Sequence, residues 1–255
     1  MNTTGRDRQF DHAVARAVVL LARARRVVVT TGAGMSKESG IPTFRDAQTG
    51  LWAKYDPETL ATREGFRRNP SLVWNWYAGR RAIIEQARPH EGHVALARIE
   101  PRFESFHLFT QNIDGLHVAA GSKNVIELHG SILRTKCFDA GHPSREPLRE
   151  AKTPPRCSCG SFLRPDVVWF GEMLNPDHLD LAADTIEACD VLLVVGTSGL
   201  VYPAAGFAEA AVRAGVPVIE INPEPTPLSR LADVMILSGA RTALMEMEQR
   251  LSPGA

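Results

Sequence analysis

Apolar residues near the start of the chain recur at steps of three and four, at Phe10, Val14, Ala17, Val18 and Leu21. That period lays one apolar stripe along a helix. The helix is expected to run into Val27, Val28 and Val29, a β-branched run suited to a parallel strand buried on both faces. From 43 to about 88 the pattern turns helical and aromatic, with Trp52, Phe66, Trp74, Trp76 and Tyr77, and carries no strand signal. Strand-like runs return at 107–110, 125–128, 191–195, 216–221 and 234–237. Helical stretches separate several of them: 176–188 puts Leu179, Ala182, Ala183 and Ile186 on one face, and 204–214 is rich in alanine. This alternation predicts an α/β fold, a doubly wound parallel sheet covered by helices on both sides. Between 131 and 165 it stops, in a stretch rich in proline, arginine and cysteine that reads as an insertion with its own small structure. The expected organisation is a sheet domain built from 1–42, 89–130 and 166–255, with 43–88 and 131–165 meeting as a smaller second lobe.

Composition narrows the picture. A chain of 255 residues with 44% hydrophobic content can bury a full core. Lysine plus arginine equals aspartate plus glutamate at 29 each, so no charge excess favours nucleic acid or an anionic membrane, and neither is expected as a partner. The longest apolar stretches, 17–22 and 191–195, fall far short of the roughly 20 residues a bilayer span needs. Asp11 and the helical period argue against a signal peptide around Val18 to Leu21, and the chain is read as cytoplasmic. Four cysteines, three of them at 137, 157 and 159, are too few and too local for a secreted disulfide framework. The oligomeric state is left open, with a monomer as the default expectation.

Candidate chemistry gathers where predicted strands end. Residues 30–46, TTGAGMSKESGIPTFRD, follow the valine run, and Gly32, Ala33 and Gly34 remove side-chain bulk where the chain turns and a pyrophosphate can approach the backbone. A plain tight turn is the alternative, since the third glycine of the dinucleotide fingerprint falls at Lys37. Ser36, Ser39, Pro42, Phe44 and Arg45 are too polar and too broken for a crossover helix and predict a loop lying over that site. Residues 110–114, TQNID, follow a strand and fall at the carboxyl edge of the sheet, where ligands bind in open α/β folds; an Asx-turn opening a helix is the other reading. His129 closes VIELHG, and its ordinary pKa of about 6.5 suits a general base, although a lone histidine also serves as a satisfied structural residue.

Taken together, GAGMSKESGIPTFRD, TQNID, ELHG, VVWFGE, GTSGLVYPAAG and IEINPEPTP, in this order over nearly the whole chain, resemble the sirtuin family of NAD-dependent protein deacylases. The resemblance implies a Rossmann-like sheet domain, NAD as cofactor, and acyl-lysine peptides or proteins as substrate. By it, Gly32, Ala33, Gly34, Phe44 and Arg45 belong to the NAD-binding loop, and Gln111, Asn112, Ile113 and Asp114 line the ribose and nicotinamide pocket. His129 is the implied catalytic base, with Asn112 beside the ribose. Gly196, Thr197 and Ser198, with Asn222, Pro223 and Glu224, are implied to hold the diphosphate and adenosine ribose, and Ala240 to lie beside the adenine. Val168, Phe170, Gly171 and Glu172 on one side and Gly199, Leu200, Val201 and Tyr202 on the other are implied to sandwich an extended peptide by main-chain pairing. The implied reaction displaces nicotinamide with the acyl oxygen of the lysine and yields free lysine, nicotinamide and O-acyl-ADP-ribose.

Two features refine that expectation. In WNWYAGRR, Tyr77 and Arg80 stand three apart on one helix face; a packed aromatic beside a solvated arginine is the plain reading. In the class III branch of sirtuins a tyrosine and arginine so spaced clasp the carboxylate of succinyl-, malonyl- or glutaryl-lysine, and an alanine, here Ala61, widens the pocket. Sirtuins also carry a structural zinc on two Cys-x-x-Cys pairs, and here the pattern is incomplete. Ala140 stands where Cys137 needs its partner, and Cys157 and Cys159 are one residue too close. Either His142 completes a tetrahedral set with the three thiolates, or the lobe holds without metal. Cys189 reads as a small buried residue. The competing functions are a sirtuin-type ADP-ribosyltransferase and a non-catalytic NAD-sensing module.

Overall fold

A computed structural model describes residues 3–43, 60–144 and 152–252. Phe44, Arg45 and Trp52 lie outside the described residues. The strands are β1 (Arg26–Thr31), β2 (Ser105–Thr110), β3 (Val125–Glu127), β4 (Gly130–Cys137), β5 (Leu163–Val167), β6 (Val191–Val195), β7 (Val218–Asn222) and β8 (Val234–Leu237). The helices are α1 (Thr3–Arg23), α2 (Ala33–Ser36), α3 (Arg63–Arg68), α4 (Pro70–Gln86), α5 (Glu91–Ile99), α6 (Leu116–Ala119), α7 (Pro176–Ala188), α8 (Gly206–Arg213) and α9 (Ala240–Leu251).

Six strands form one parallel sheet in the order β3-β2-β1-β6-β7-β8. The doubly wound expectation holds, and the chain order reverses between β1 and β6, where such sheets leave a crevice at their carboxyl edge. Strand alternation divides the core. Val27, Val29, Leu193, Ile219 and Ile221 pack one way with α1, α5 and α9, while Val28, Leu192, Val194 and Val218 pack the other way with α7 and α8. Burial on both faces is why these strands are near-continuous apolar runs. Among the described residues no helix is long and apolar enough to cross a membrane.

The polar stretch after β1 forms no crossover helix among its described residues. The chain makes one turn of α2 and a 3₁₀ turn, Lys37–Ser39, before Gly40 ends it at φ 82°. The Met35 N–H closes onto the Gly32 carbonyl at 2.9 Å, so local hydrogen bonding satisfies the backbone that the polar side chains leave free.

β4 and β5 pair antiparallel in a ribbon apart from the main sheet. A third core, containing Phe66, Val73, Trp76, Tyr77, Ile132, Phe138 and Trp169, joins this ribbon to α3 and α4. Two cap residues set the entry angles of these helices. Thr62 Oγ1 accepts the Gly65 N–H, and Asn69 Oδ1 accepts the Leu72 N–H just before Pro70 opens α4. Arg81 Nε then donates to the Ile132 carbonyl at 3.1 Å, tying α4 to β4.

Candidate active site

The turn after β1 meets the turn after β6. Gly32 N–H donates to the Val195 carbonyl and Gly34 N–H to the Gly196 carbonyl, at 3.0 and 2.9 Å. A Cβ on Gly34 would stand 2.8 Å from Gly196 Cα, and one on Gly196, at φ 60°, would stand 2.4 Å from Met35 N. These glycines are therefore required first by backbone packed on backbone, a reason beyond the phosphate approach expected of them.

The TQNID loop lies against this turn. Asn112 is buried, and its Nδ2 donates to the Gly32 carbonyl at 2.9 Å and to Ser36 Oγ at 3.2 Å. Ser36 Oγ in turn donates to Asp114 Oδ2 at 2.8 Å, while Asp114 Oδ1 accepts the Leu116 N–H. Burial raises the Asp114 pKa, against the pull of the Leu116 and Ser36 donors. Ser36 is thus the buttress between two predicted site residues, and no spacing in the sequence announces that role.

His129 follows β3 by two residues and is half-buried. Its Nδ1 lies 3.0 Å from the Gln111 carbonyl, an acceptor only, so Nδ1 carries the proton and Nε2 the lone pair. Burial lowers its pKa, opposed by the Gln111 hydrogen bond. The imidazole is therefore neutral at pH 7, as a general base must be.

The residues predicted for the diphosphate and ribose also converge. Asn222 Nδ2 donates to the Thr197 carbonyl at 2.7 Å, joining the ends of β6 and β7. Thr197 Oγ1 is buried with no protein partner among the described residues. An orphaned hydroxyl beside Gly32 and Gly196 suits a diphosphate oxygen, so this crevice fits a dinucleotide. Ser198 is half-buried, and Pro223 and Glu224 are exposed. Ala240 is buried at the start of α9, and Glu38, from the turn after α2, caps that helix by accepting the Arg241 N–H at 3.0 Å.

Around the predicted peptide and acyl residues, Val168 N–H donates to the His129 carbonyl and Phe170 N–H to the Ala61 carbonyl, each at 2.9 Å. Glu172 accepts from Arg164, Trp169 N–H and Arg63, which fixes the segment containing Phe170 and Gly171. Phe170, Leu200, Val201 and Tyr202 are exposed apolar side chains, and Gly199 packs on Leu228. Tyr77 is buried in the core that also holds Ala61, and its hydroxyl accepts Trp169 Nε1–H at 2.9 Å. Half-buried Arg80 lies 5.3 Å over the Trp76 ring; burial lowers its pKa while Tyr77 raises it. Two clefts of about 130 and 400 Å³ beside Ser105 and His107 contain none of the predicted site residues.

Beside the β4–β5 ribbon, Cys137, His142, Cys157 and Cys159 bring four donor atoms within 4.8 Å of one another. Tight turns built on Gly141 and Gly160 deliver them. Burial raises the Cys137 thiol, but the Ala140 N–H and the Cys159 and Ser161 side chains outweigh it and bring the pKa down to about 6. A zinc about 2.3 Å from each sulfur needs donors roughly 3.8 Å apart; Cys137 and Cys159 Sγ lie 3.4 Å apart, and Cys157 Sγ lies 3.7 Å from His142 Nε2. The set fits tetrahedral zinc, with His142 in the fourth place.

An open parallel sheet reversing between β1 and β6, with polar loops gathered at its carboxyl edge, defines a dinucleotide-binding α/β protein. The chain belongs to the Sir2 family, the sirtuins, whose model matches residues 32–203. A relative named NAD-dependent protein deacylase, from Aquifex aeolicus (strain VF5), is 51% identical over 225 residues, covering 87% of this chain and 93% of the relative. A solved Sir2 homologue in complex with NAD superposes with a TM-score of 0.88 at 42% identity, covering 93% of each chain. A Sir2 complex with a p53 peptide and NAD+ superposes with a TM-score of 0.81 at 30% identity, covering 92% of this chain and 97% of that one.

Proposed function

We propose that this sirtuin is an NAD-dependent protein-lysine deacylase in which His129 is the general base and Tyr77 and Arg80 favour acidic acyl groups. The observation that carries the reading is the His129 tautomer: Nδ1–H is spent on the Gln111 carbonyl, and a neutral Nε2 is left to accept a proton. The relatives named NAD-dependent protein deacylase support it. When bound, NAD supplies a glycosidic bond whose cleavage releases nicotinamide and leaves ADP-ribose to receive the acyl group. The residues of this chain orient and deprotonate. Asn112, Ser36 and Asp114 form one hydrogen-bonded unit that holds polar groups at fixed angles around the ribose and carboxamide. His129 Nε2 takes the proton of a ribose hydroxyl.

The acyl preference rests on Tyr77. Its oxygen accepts from Trp169, and with no acceptor for its own proton among the described residues that proton can go to the end of the acyl chain. Arg80, one helical turn on, brings a guanidinium whose pKa burial lowers, and a carboxylate at the end of the acyl chain is the acceptor it pairs with best. A charge-assisted hydrogen bond contributes about 1.5–3 kcal/mol, more than tenfold in selectivity. Arg80→Met is therefore expected to lower kcat/KM for a succinyl peptide by at least ~10-fold while the matched acetyl peptide changes by less than about twofold. Equal loss on both peptides argues against the clasp.

Cys137, His142, Cys157 and Cys159 would hold one structural zinc. Metal analysis is expected to find about one zinc per chain, and His142→Ala to lower that content and the Tm together. Metal-free protein with an unchanged Tm contradicts the assignment.

A further inference from the structure

Three histidines that the proposed mechanism leaves unused are buried behind the TQNID loop. His90 precedes α5, His93 lies within it and His117 sits in α6; their rings are 4.3 Å (His90 to His93) and 4.9 Å (His93 to His117) apart between centroids. His90 Nδ1 accepts the Gly92 N–H, so its Nε2 carries a proton and donates it to the Met35 carbonyl at 2.7 Å. His117 Nε2 lies 2.9 Å from Thr31 Oγ1. The single proton of Thr31 goes to Thr110 Oγ1 at 2.9 Å, so Thr31 must accept from His117, which fixes the Nε2–H tautomer there too. Thr110 Oγ1 also accepts the backbone N–H of Asn112 at 3.0 Å.

A directed chain results, from His117 through the ends of β1 and β2 to the backbone of Asn112. It is fully buried, so water does not compete for its links. Both nitrogens of His93 and Nδ1 of His117 have no partner among the described residues. Burial, with His117 and His90 facing it, pushes His93 down to about 2, and burial and His90 push His117 down to about 3. The trio stays neutral at physiological pH, and His117 remains a donor to Thr31.

We propose that His117, acting through Thr31 and Thr110, is a positioning residue for Asn112, setting the angle at which the Asn112 side chain meets the ribose. The proposal rests on the reading of Asn112 as part of the NAD site. Valine has the same branched shape without the hydroxyl, so what the two threonines add to this buried place is their hydrogen bonds to the His117 ring and the Asn112 N–H.

A double-mutant cycle on the full-length protein tests this. Thr31→Val keeps the branched shape and removes the hydroxyl; it is expected to lower kcat by ~10-fold with KM for NAD within about twofold. Thr31→Ser restores the rate. In an Asn112→Ala background, adding Thr31→Val costs nothing further, because the group it positions is gone. Thr110→Val, which removes the acceptor for the Asn112 N–H, is expected to show the same coupling, and calorimetric binding of ADP-ribose confirms that each variant is folded. Equal losses from Thr31→Val with and without Asn112 overturn the proposal and leave a purely structural role. Wild-type turnover by Asn112→Ala overturns the reading of Asn112 itself, and this inference with it.

Discussion

His129→Ala is expected to reduce acyl-lysine turnover by at least ~10³-fold, within the roughly 10²–10⁴-fold that a general base contributes, while ADP-ribose binding changes little. The separation follows from geometry. His129 Nδ1 is spent on the Gln111 carbonyl, which leaves Nε2 as the nitrogen for the proposed base. Gln111 keeps its place without the imidazole because its N–H donates to the Thr31 carbonyl at 2.9 Å in continuation of the sheet. Asn112, Ser36 and Asp114 are held by bonds that His129 does not share. Single-turnover assays on a succinyl peptide, paired with calorimetry, measure both quantities, and full turnover by the variant rules the base assignment out. The pH profile has a definite sign as well. The base must be neutral, and burial lowers its pKa below the ordinary value, so the rate is complete at neutral pH and falls only as pH drops below about 6.5. A rate half lost at pH 7 contradicts that environment.

The second large effect is on stability in mild acid. A histidine whose folded pKa is lowered contributes stability above its unfolded value and loses it as pH falls, because the unfolded chain takes up the proton first. His93 at about 2 and His117 at about 3 remain neutral where the unfolded side chains titrate. Between pH 7 and pH 5 each is expected to cost about 2 kcal/mol, or roughly 4 kcal/mol together. That is a large share of the 5–15 kcal/mol typical of a folded protein. Asp114, whose carboxyl is raised, works the other way and offsets part of the loss. Thermal melts at pH 7 and pH 5 are expected to show a marked fall in Tm, and a flatter dependence in His93→Leu even if its Tm at pH 7 is altered. Equal Tm at the two pH values in the unaltered protein would refute the buried neutral trio.

The sheet was legible because burial on both faces forces valine and leucine runs, so 191–195 and 234–237 coincide with β6 and β8. The helix at 176–188 was legible for the complementary reason, an apolar face at helical spacing, and the structure adds the Asn175 side chain as its N-cap. The site was legible only as separate motifs. Ser36, Asn112 and Asp114 meet because β1 and β2 are neighbours in the sheet, and strand order is not written in local pattern. The link from His117 to Thr31 and Thr110 is hidden for the same reason, although a threonine ending each of two apolar strands marks both as reaching a polar edge. The glycines are legible in sequence, but the approach of Gly196 onto Gly34 depends on a contact between residues 162 apart in the chain and is not. His142 stood among the alternatives because spacing alone cannot tell a ligand from a surface histidine; the fold brings its Nε2 within 3.7 Å of Cys157 Sγ.

The most direct test of the account is the stoichiometry of nicotinamide release. The protein is incubated with NAD and either an acyl-lysine peptide or the same peptide with free lysine. The account predicts one nicotinamide for every lysine freed, together with O-acyl-ADP-ribose, and negligible release from the unmodified peptide. Nicotinamide released equally with both peptides, or lysine freed without nicotinamide, contradicts a site in which His129, Asn112 and Asp114 couple the two bonds.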